Sequence, residues 1–194
     1  VLPEARKADQ EQRFSEELTQ KMGPQGLFGM TLPQKYGGGE YDYLSLIIAT
    51  EEIARVDGSQ AATVAAMNSL GIGPIYNYGT EEQKERLLPS LTSGEKLWAF
   101  GLTERNAGSD SRATTTKGEL IDGYWHINGR KMFISNSSSP MSAGITLQTI
   151  TGKKGERNEY STILVESDRE GYVSKPIRGK MMWRGADTGE LEFN

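Results

Sequence analysis

The chain has no cysteine. That excludes a disulfide framework, a thiolate nucleophile and any metal site built on sulfur, and it fits a reducing compartment. Histidine is nearly absent as well. His126 stands alone in a segment that alternates like a strand, with no Ser and Asp pattern to complete a triad, so it reads as a half-exposed structural residue. No grouping of His, Asp and Glu has the spacing of a metal site. No apolar run approaches the roughly 18 residues that span a bilayer. Charge of one sign is not concentrated anywhere: 22 basic and 26 acidic residues, net −4, are interspersed along the chain. Nucleic acid is therefore excluded as a general partner, for want of an electrostatic footprint. Gly37-Gly38-Gly39 lacks the Lys and the following helix of a phosphate-binding loop.

What remains is a chain of 194 residues, enough for one sizeable domain or two small ones. Val1 opens it without Met and without a charged-then-apolar leader pattern. Glu190-Leu191-Glu192-Phe193-Asn194 alternates like a strand with no closing turn. Both ends read as those of a piece of a longer chain.

The first half reads as helices. Ser15 can cap a helix over Glu16 to Met22, with Phe14 placed to staple it, and Gly23-Pro24 stops it. From Tyr43 to Val56, the residues Leu44, Ile47, Ile48, Glu51 and Ala54 fall near one face, which predicts a mostly buried helix. Ser59 can cap Gln60 to Leu70, ended by Gly71 and Gly73-Pro74. Thr80-Glu81-Glu82-Gln83 is a capping box opening Glu81 to Leu88.

After Gly94 the period changes. Lys96 to Leu102, Tyr124 to Ile127, Lys131 to Ser135, Ile145 to Ile150, Ser161 to Val165 and Thr188 to Phe193 read as strands. Asp122-Gly123 and Asn128-Gly129 are hairpin signals, and Thr151 to Glu159 is a polar loop. Helices followed by strands argue for an α+β fold: a helical domain over 1–95, then a β-barrel-like domain over 96–194, left incomplete.

Two segments carry chemistry. Gly101-Leu102-Thr103-Glu104-Arg105-Asn106-Ala107-Gly108-Ser109-Asp110 and Asn128-Gly129-Arg130-Lys131-Met132-Phe133-Ile134-Ser135-Asn136 each place small and hydroxyl residues beside a strand. Together they can present backbone N–H groups and short hydroxyls to one planar polar ligand. Taken alone, Thr103 and Ser109-Asp110 read as turn residues satisfying local backbone, and Phe133 as a core residue at an alternating position.

The paired segments resemble the acyl-CoA dehydrogenase family of flavoenzymes. In that family Leu-Thr-Glu-x-x-Ala-Gly-Ser-Asp and Asn-Gly-x-Lys-x-Trp/Phe-Ile-Thr/Ser-Asn line the FAD and the start of the thioester channel. The resemblance covers almost the whole chain, and it favours the ligand reading. It implies FAD contacts from Phe100, Leu102, Thr103, Gly108, Ser109, Phe133, Ile134 and Ser135, with Leu102 and Thr103 donating to the flavin's pyrimidine edge. Ser109 would also meet the acyl-CoA. Phe133 stands where the family usually has Trp, keeping the stacking surface without the indole donor. Ser135 keeps the hydroxyl of a usual Thr. Arg105-Asn106 replaces a common Pro-Gly; Asn tolerates a left-handed backbone, and Arg105 reads as solvated. Met181-Met182-Trp183-Arg184 reads as core plus a salt bridge, where the family usually has a Gly before its Arg.

The implied reaction is FAD-dependent α,β-dehydrogenation of an acyl-CoA to a trans-2-enoyl-CoA, with electrons passed to an electron-transfer flavoprotein. Taking the α-proton needs a positioned base. The family's Glu would lie beyond Asn194. Glu104 and Asp110 hold structural positions, and Asn68, expected near the pocket, is not ionisable. The resemblance further implies a homotetramer in a bacterial cytoplasm or a mitochondrial matrix, and a short helix preceding Val1. The same fold also admits an acyl-CoA oxidase, an enoyl-CoA reductase, a flavin monooxygenase or a non-catalytic assembly or scaffold member.

Overall fold

The computed structural model describes residues 1–194. Its first half is six helices whose ends follow local capping chemistry. In α1 (Leu2–Glu11) a proline occupies the first turn, where its missing N–H costs nothing; with only Ala8 buried, α1 carries little apolar signal and sequence reasoning passed over it. The Ser15 hydroxyl accepts the Leu18 N–H at 3.4 Å and opens α2 (Glu16–Met22) as expected. The capping box forms in full at α6 (Glu81–Thr92): Gln83 N–H donates to Thr80 Oγ1 at 3.2 Å, and Thr80 N–H donates to Gln83 Oε1 at 2.9 Å.

Three helical expectations are corrected. α3 (Tyr43–Ala54) has no buried residue, and Leu44, Ile47 and Ile48 are 64, 60 and 53% exposed. Periodicity reveals an apolar face but not what covers it, and no element of these residues lies over this one. Asp57, not Ser59, caps α4 (Gly58–Ala66), accepting the Ser59 and Gln60 N–H groups at 2.9 and 3.1 Å. Gly71 and Gly73-Pro74 do not end that helical run. A single π turn over Met67–Gly71 leads straight into α5 (Ile72–Tyr78); the widened turn accommodates a proline whose N–H is missing. Gly71 is needed there because a Cβ would lie 2.6 Å from the Trp98 carbonyl.

The second half is one sheet of β1 (Leu97–Gly101), β2 (Lys117–Ile121), β3 (Tyr124–Ser135), β4 (Ser142–Lys154), β5 (Arg157–Glu166), β6 (Tyr172–Pro176) and β7 (Thr188–Phe193). The order is β1-β4-β2-β3-β7-β6, with β5 also on β4. β1 runs parallel to β4, and β3 runs antiparallel to β2 and β7. Asp122 and Gly123 turn β2 into β3 with φ of 50° and 85°, as the hairpin signal predicts. Asn128-Gly129 is not a turn: β3 runs through it, and a Cβ on Gly129 would lie 2.4 Å from Thr116 Oγ1. Glycine there marks a close crossing. Thr151 to Glu159 is mostly paired strand, turning only near Gly155. β2 and β6 were not foreseen.

β1 joins the layers. Leu97 and Trp98 belong to a core with Phe28, Val64, Met67, Ile72 and Leu88 of the helical half, while Ala99 packs with Ile134, Ile145, Leu147 and Leu191. Trp98 is fully buried, and its indole N–H donates to Thr146 Oγ1 at 3.0 Å. Met181, Met182 and Trp183 are exposed and Arg184 makes no salt bridge, which corrects the expectation of core. Trp183 instead lies over Gly58, where its ring nitrogen would be 2.8 Å from an added Cβ.

Candidate functional site: a cradle between the end of β1 and a bulge in β3

The pairing of β3 with β7 changes register between Lys131 and Ile134. Such a bulge re-aims side chains. Here it places Phe133 at φ 60°, a left-handed conformation that a bulky residue rarely adopts. The Phe133 ring is 61% exposed, so it is not the core residue that alternation suggests. Ser135 is exposed beyond it. Ile134 is buried in the sheet core, paired with Gly189 of β7, and its carbonyl accepts the Ser137 hydroxyl at 2.8 Å.

The end of β1 reaches the bulge through two bonds. Met132 N–H donates to the Thr103 carbonyl at 2.9 Å, and Lys131 Nζ donates to the Leu102 carbonyl at 3.0 Å. Lys131 also meets Glu104 Oε1 at 2.8 Å, with the lysine side chain fully buried and the glutamate nearly so. Glu104 accepts four further bonds: Thr115 N–H at 2.7 Å, Thr115 Oγ1 at 2.6 Å, Thr116 N–H at 3.1 Å and Thr116 Oγ1 at 2.6 Å. Burial opposes its ionisation, but Lys131 first, then Thr115 and Thr116, outweigh burial and hold the carboxyl at about 2. Burial pulls the Lys131 pKa down against the favourable pull of Glu104.

The loop bearing Gly108 and Ser109 is pinned at both ends. Glu104 N–H donates to the Ala107 carbonyl at 2.8 Å. Asp110 Oδ1 accepts the Arg112 N–H at 3.1 Å, and Gln148 Nε2 donates to the Ser111 carbonyl at 3.0 Å. Gly108 and Ser109 themselves are exposed. A Cβ added at Gly108 would meet nothing within 4 Å, so nothing in the chain itself demands glycine there. Arg105 makes no ion pair, as expected of a solvated residue. Asn106 does not adopt the left-handed backbone that sequence reasoning allowed it.

The cradle holds donors with nothing to donate to. Neither the Leu102 nor the Thr103 N–H has a protein acceptor, and the hydroxyls of Thr103, Ser109 and Ser135 have no protein partner. Buried or half-buried polar groups are ordinarily paired. Phe100, half-buried at the end of β1, completes the wall. A cavity of about 1110 Å³ lies elsewhere, among Trp125, Ile127, Val165, Tyr172 and Phe193, and none of the cradle residues lines it. The cradle is thus an exposed surface with a defined polar edge.

Asn68 is a bracket inside the helical half, donating to the Leu27 and Val64 carbonyls at 2.9 Å and accepting the Met30 N–H at 2.8 Å. Lys131 and the two threonines that secure Glu104 were not singled out from sequence. The available signal was the consecutive Thr114-Thr115-Thr116 and a lysine in an otherwise inward-facing strand position.

Fold and cradle define a helical domain docked on a β-domain that offers backbone donors and an aromatic ring to a flat polar ligand. Residues 1–95 match the model of the acyl-CoA dehydrogenase N-terminal domain, and residues 99–194 match that of the acyl-CoA dehydrogenase middle domain. The chain belongs to the acyl-CoA dehydrogenase family. It is 40% identical over 192 residues to "Probable acyl-CoA dehydrogenase YngJ" of Bacillus subtilis, covering 98% of this chain and 50% of that protein. It superposes with TM-score 0.93 and 29% identity on a glutaryl-CoA dehydrogenase from Mycobacterium smegmatis in complex with FADH2, covering 100% of this chain and 48% of that one. A structure described as the electron transferring flavoprotein of Acidaminococcus fermentans superposes with TM-score 0.93 and 33% identity, over 100% of this chain and 50% of that one. The chain spans about half the length of the curated relatives it matches.

Proposed function

We propose that the protein containing these residues binds FAD in the cradle and catalyses α,β-dehydrogenation of an acyl-CoA thioester to the trans-2-enoyl-CoA. The observation that carries this reading is the pair of unpartnered N–H groups at Leu102 and Thr103, tied to the left-handed Phe133 bulge by the Met132-to-Thr103 bond of 2.9 Å. When bound, FAD supplies the hydride acceptor for the substrate β-carbon. The residues present fit an isoalloxazine: Phe133 would offer a ring face, Phe100 and Ile134 would help to wall the site, and Leu102, Thr103 and Ser135 would offer donors. Donors aimed where negative charge develops favour reduction. The open space beside Gly108 lets a ligand approach the backbone, and the Ser109 hydroxyl is free to bond the thioester arm.

Glu104 does not serve as the α-proton base, because five donors hold it ionised and buried. Asp110 caps a turn. The base in our reading is a carboxylate outside residues 1–194, electrons pass to an electron-transfer flavoprotein, and the protein assembles as a homotetramer. Absorbance tests the reading. The purified parent protein should show the spectrum of oxidised flavin, and a colourless protein that FAD does not reconstitute overturns the reading.

A further inference from the structure

Lys131 donates to two acceptors from a fully buried position, the Leu102 carbonyl at 3.0 Å and Glu104 Oε1 at 2.8 Å. A trans peptide holds its C=O and N–H on opposite sides of the bond, and the chain has no cis peptide. Anchoring the Leu102 carbonyl therefore turns the Thr103 N–H away from Lys131. That N–H has no acceptor in the protein. The next peptide is held too, since the Thr103 carbonyl accepts the Met132 N–H at 2.9 Å. With the carbonyls on both sides fixed, the Thr103 amide has little freedom to rotate. A cation bonded to a carbonyl also polarises its amide and strengthens the opposite N–H as a donor.

We propose that Lys131 is a positioning residue that directs and polarises the Leu102–Thr103 peptide, so that its N–H meets the electron-rich edge of the bound ring and favours the reduced form. The inference rests on the flavin reading of the same cradle. Glu104 moderates the effect, because its carboxylate shares the ammonium. The four bonds from Thr115 and Thr116 keep that carboxylate in place when the lysine changes. Loss of the Lys131 charge leaves a lone carboxylate beside the peptide and disfavours reduction. Loss of the Glu104 charge leaves a lone ammonium and favours it.

The test is the reduction potential of the flavin in the FAD-loaded parent protein, measured against a reference dye in the unaltered form, Lys131→Met and Glu104→Gln. Lys131→Met shifts the reduced-to-oxidised ratio about tenfold toward oxidised, ~30 mV for a two-electron couple. Glu104→Gln shifts it the other way. An unchanged potential in Lys131→Met, or shifts of the same sign in both variants, overturns the inference. If either variant does not fold, a crystal structure of the unaltered FAD-loaded protein decides. Thr103 N within hydrogen-bond distance of the ring, with the Leu102 carbonyl on Lys131, upholds the inference; a protein or water acceptor for that N–H overturns it. Should the unaltered protein take up no FAD, the flavin reading fails first and takes the inference with it. Bound FAD with an unmoved potential removes the inference alone.

Discussion

The carbonyl of Thr103 accepts the N–H of Met132 at 2.9 Å, across 29 residues of chain. One bond thereby joins the end of β1 to the bulge that turns Phe133 outward. Both candidate segments become one surface at this point.

Phe133 at φ 60° is held in a conformation that costs an L residue roughly 1–2 kcal/mol, and its ring is mostly exposed. Phe133→Gly relieves the strain and sacrifices little burial. It should raise unfolding stability by about 1 kcal/mol while weakening FAD binding. Paired chemical denaturation and flavin titration read both. Lower stability with unchanged flavin affinity would mean the ring packs for structure alone.

The Ser109 hydroxyl is exposed and has no protein partner. Ser109→Ala should therefore leave the thermal midpoint unchanged. Loss of one neutral hydrogen bond to the thioester arm costs about 0.5–1.5 kcal/mol, a several-fold weaker binding of a non-reactive acyl-CoA analogue. Reduced stability with unaltered affinity would return this serine to a turn-forming role.

Acid should loosen the cradle loop in a defined window. The Glu104 carboxyl lies at about 2 in the fold, against an ordinary 4.5: burial works against this, and Lys131 and the two threonines prevail. A carboxyl lowered on folding adds stability that is complete above about 4.5 and is lost as pH falls toward about 2. Glu104→Gln should flatten that limb of an acid titration followed by circular dichroism. At neutral pH it should also destabilise the protein by roughly 3–5 kcal/mol, since it leaves the Lys131 charge buried without its partner. An acid limb identical in both proteins would contradict this.

Trp98 sits where the helical and sheet cores meet, with its indole N–H on Thr146 Oγ1 at 3.0 Å. Trp98→Ala should cost about 3–5 kcal/mol through the cavity it leaves. Loss of a single cooperative transition would show that the two halves unfold together only through this side chain.

Sequence revealed the change from helices to strands, the caps at Ser15 and Thr80 and the Asp122-Gly123 turn, and it pointed to the two segments that the Met132-to-Thr103 bond brings together. Those features depend on short-range chemistry or on a motif. Gly129 misled because a glycine that serves a close crossing of Thr116 and a glycine that serves a turn are identical in sequence. α3 misled because its apolar face at Leu44, Ile47 and Ile48 has no partner among these residues. The Lys131–Glu104 pair is a contact across 27 positions, and nothing in the spacing of charges announces a buried ion pair.

The account stands most directly on one measurement: anaerobic addition of a saturated acyl-CoA to the purified parent protein, with flavin absorbance and thioester product followed together. The account predicts bleaching of the oxidised-flavin band and formation of the trans-2-enoyl-CoA in equal amounts. It further predicts no bleaching when residues 1–194 are supplied alone with FAD, a base outside them being part of the proposal. A yellow parent protein that acyl-CoA thioesters leave oxidised, across short, long and branched chains, would contradict it.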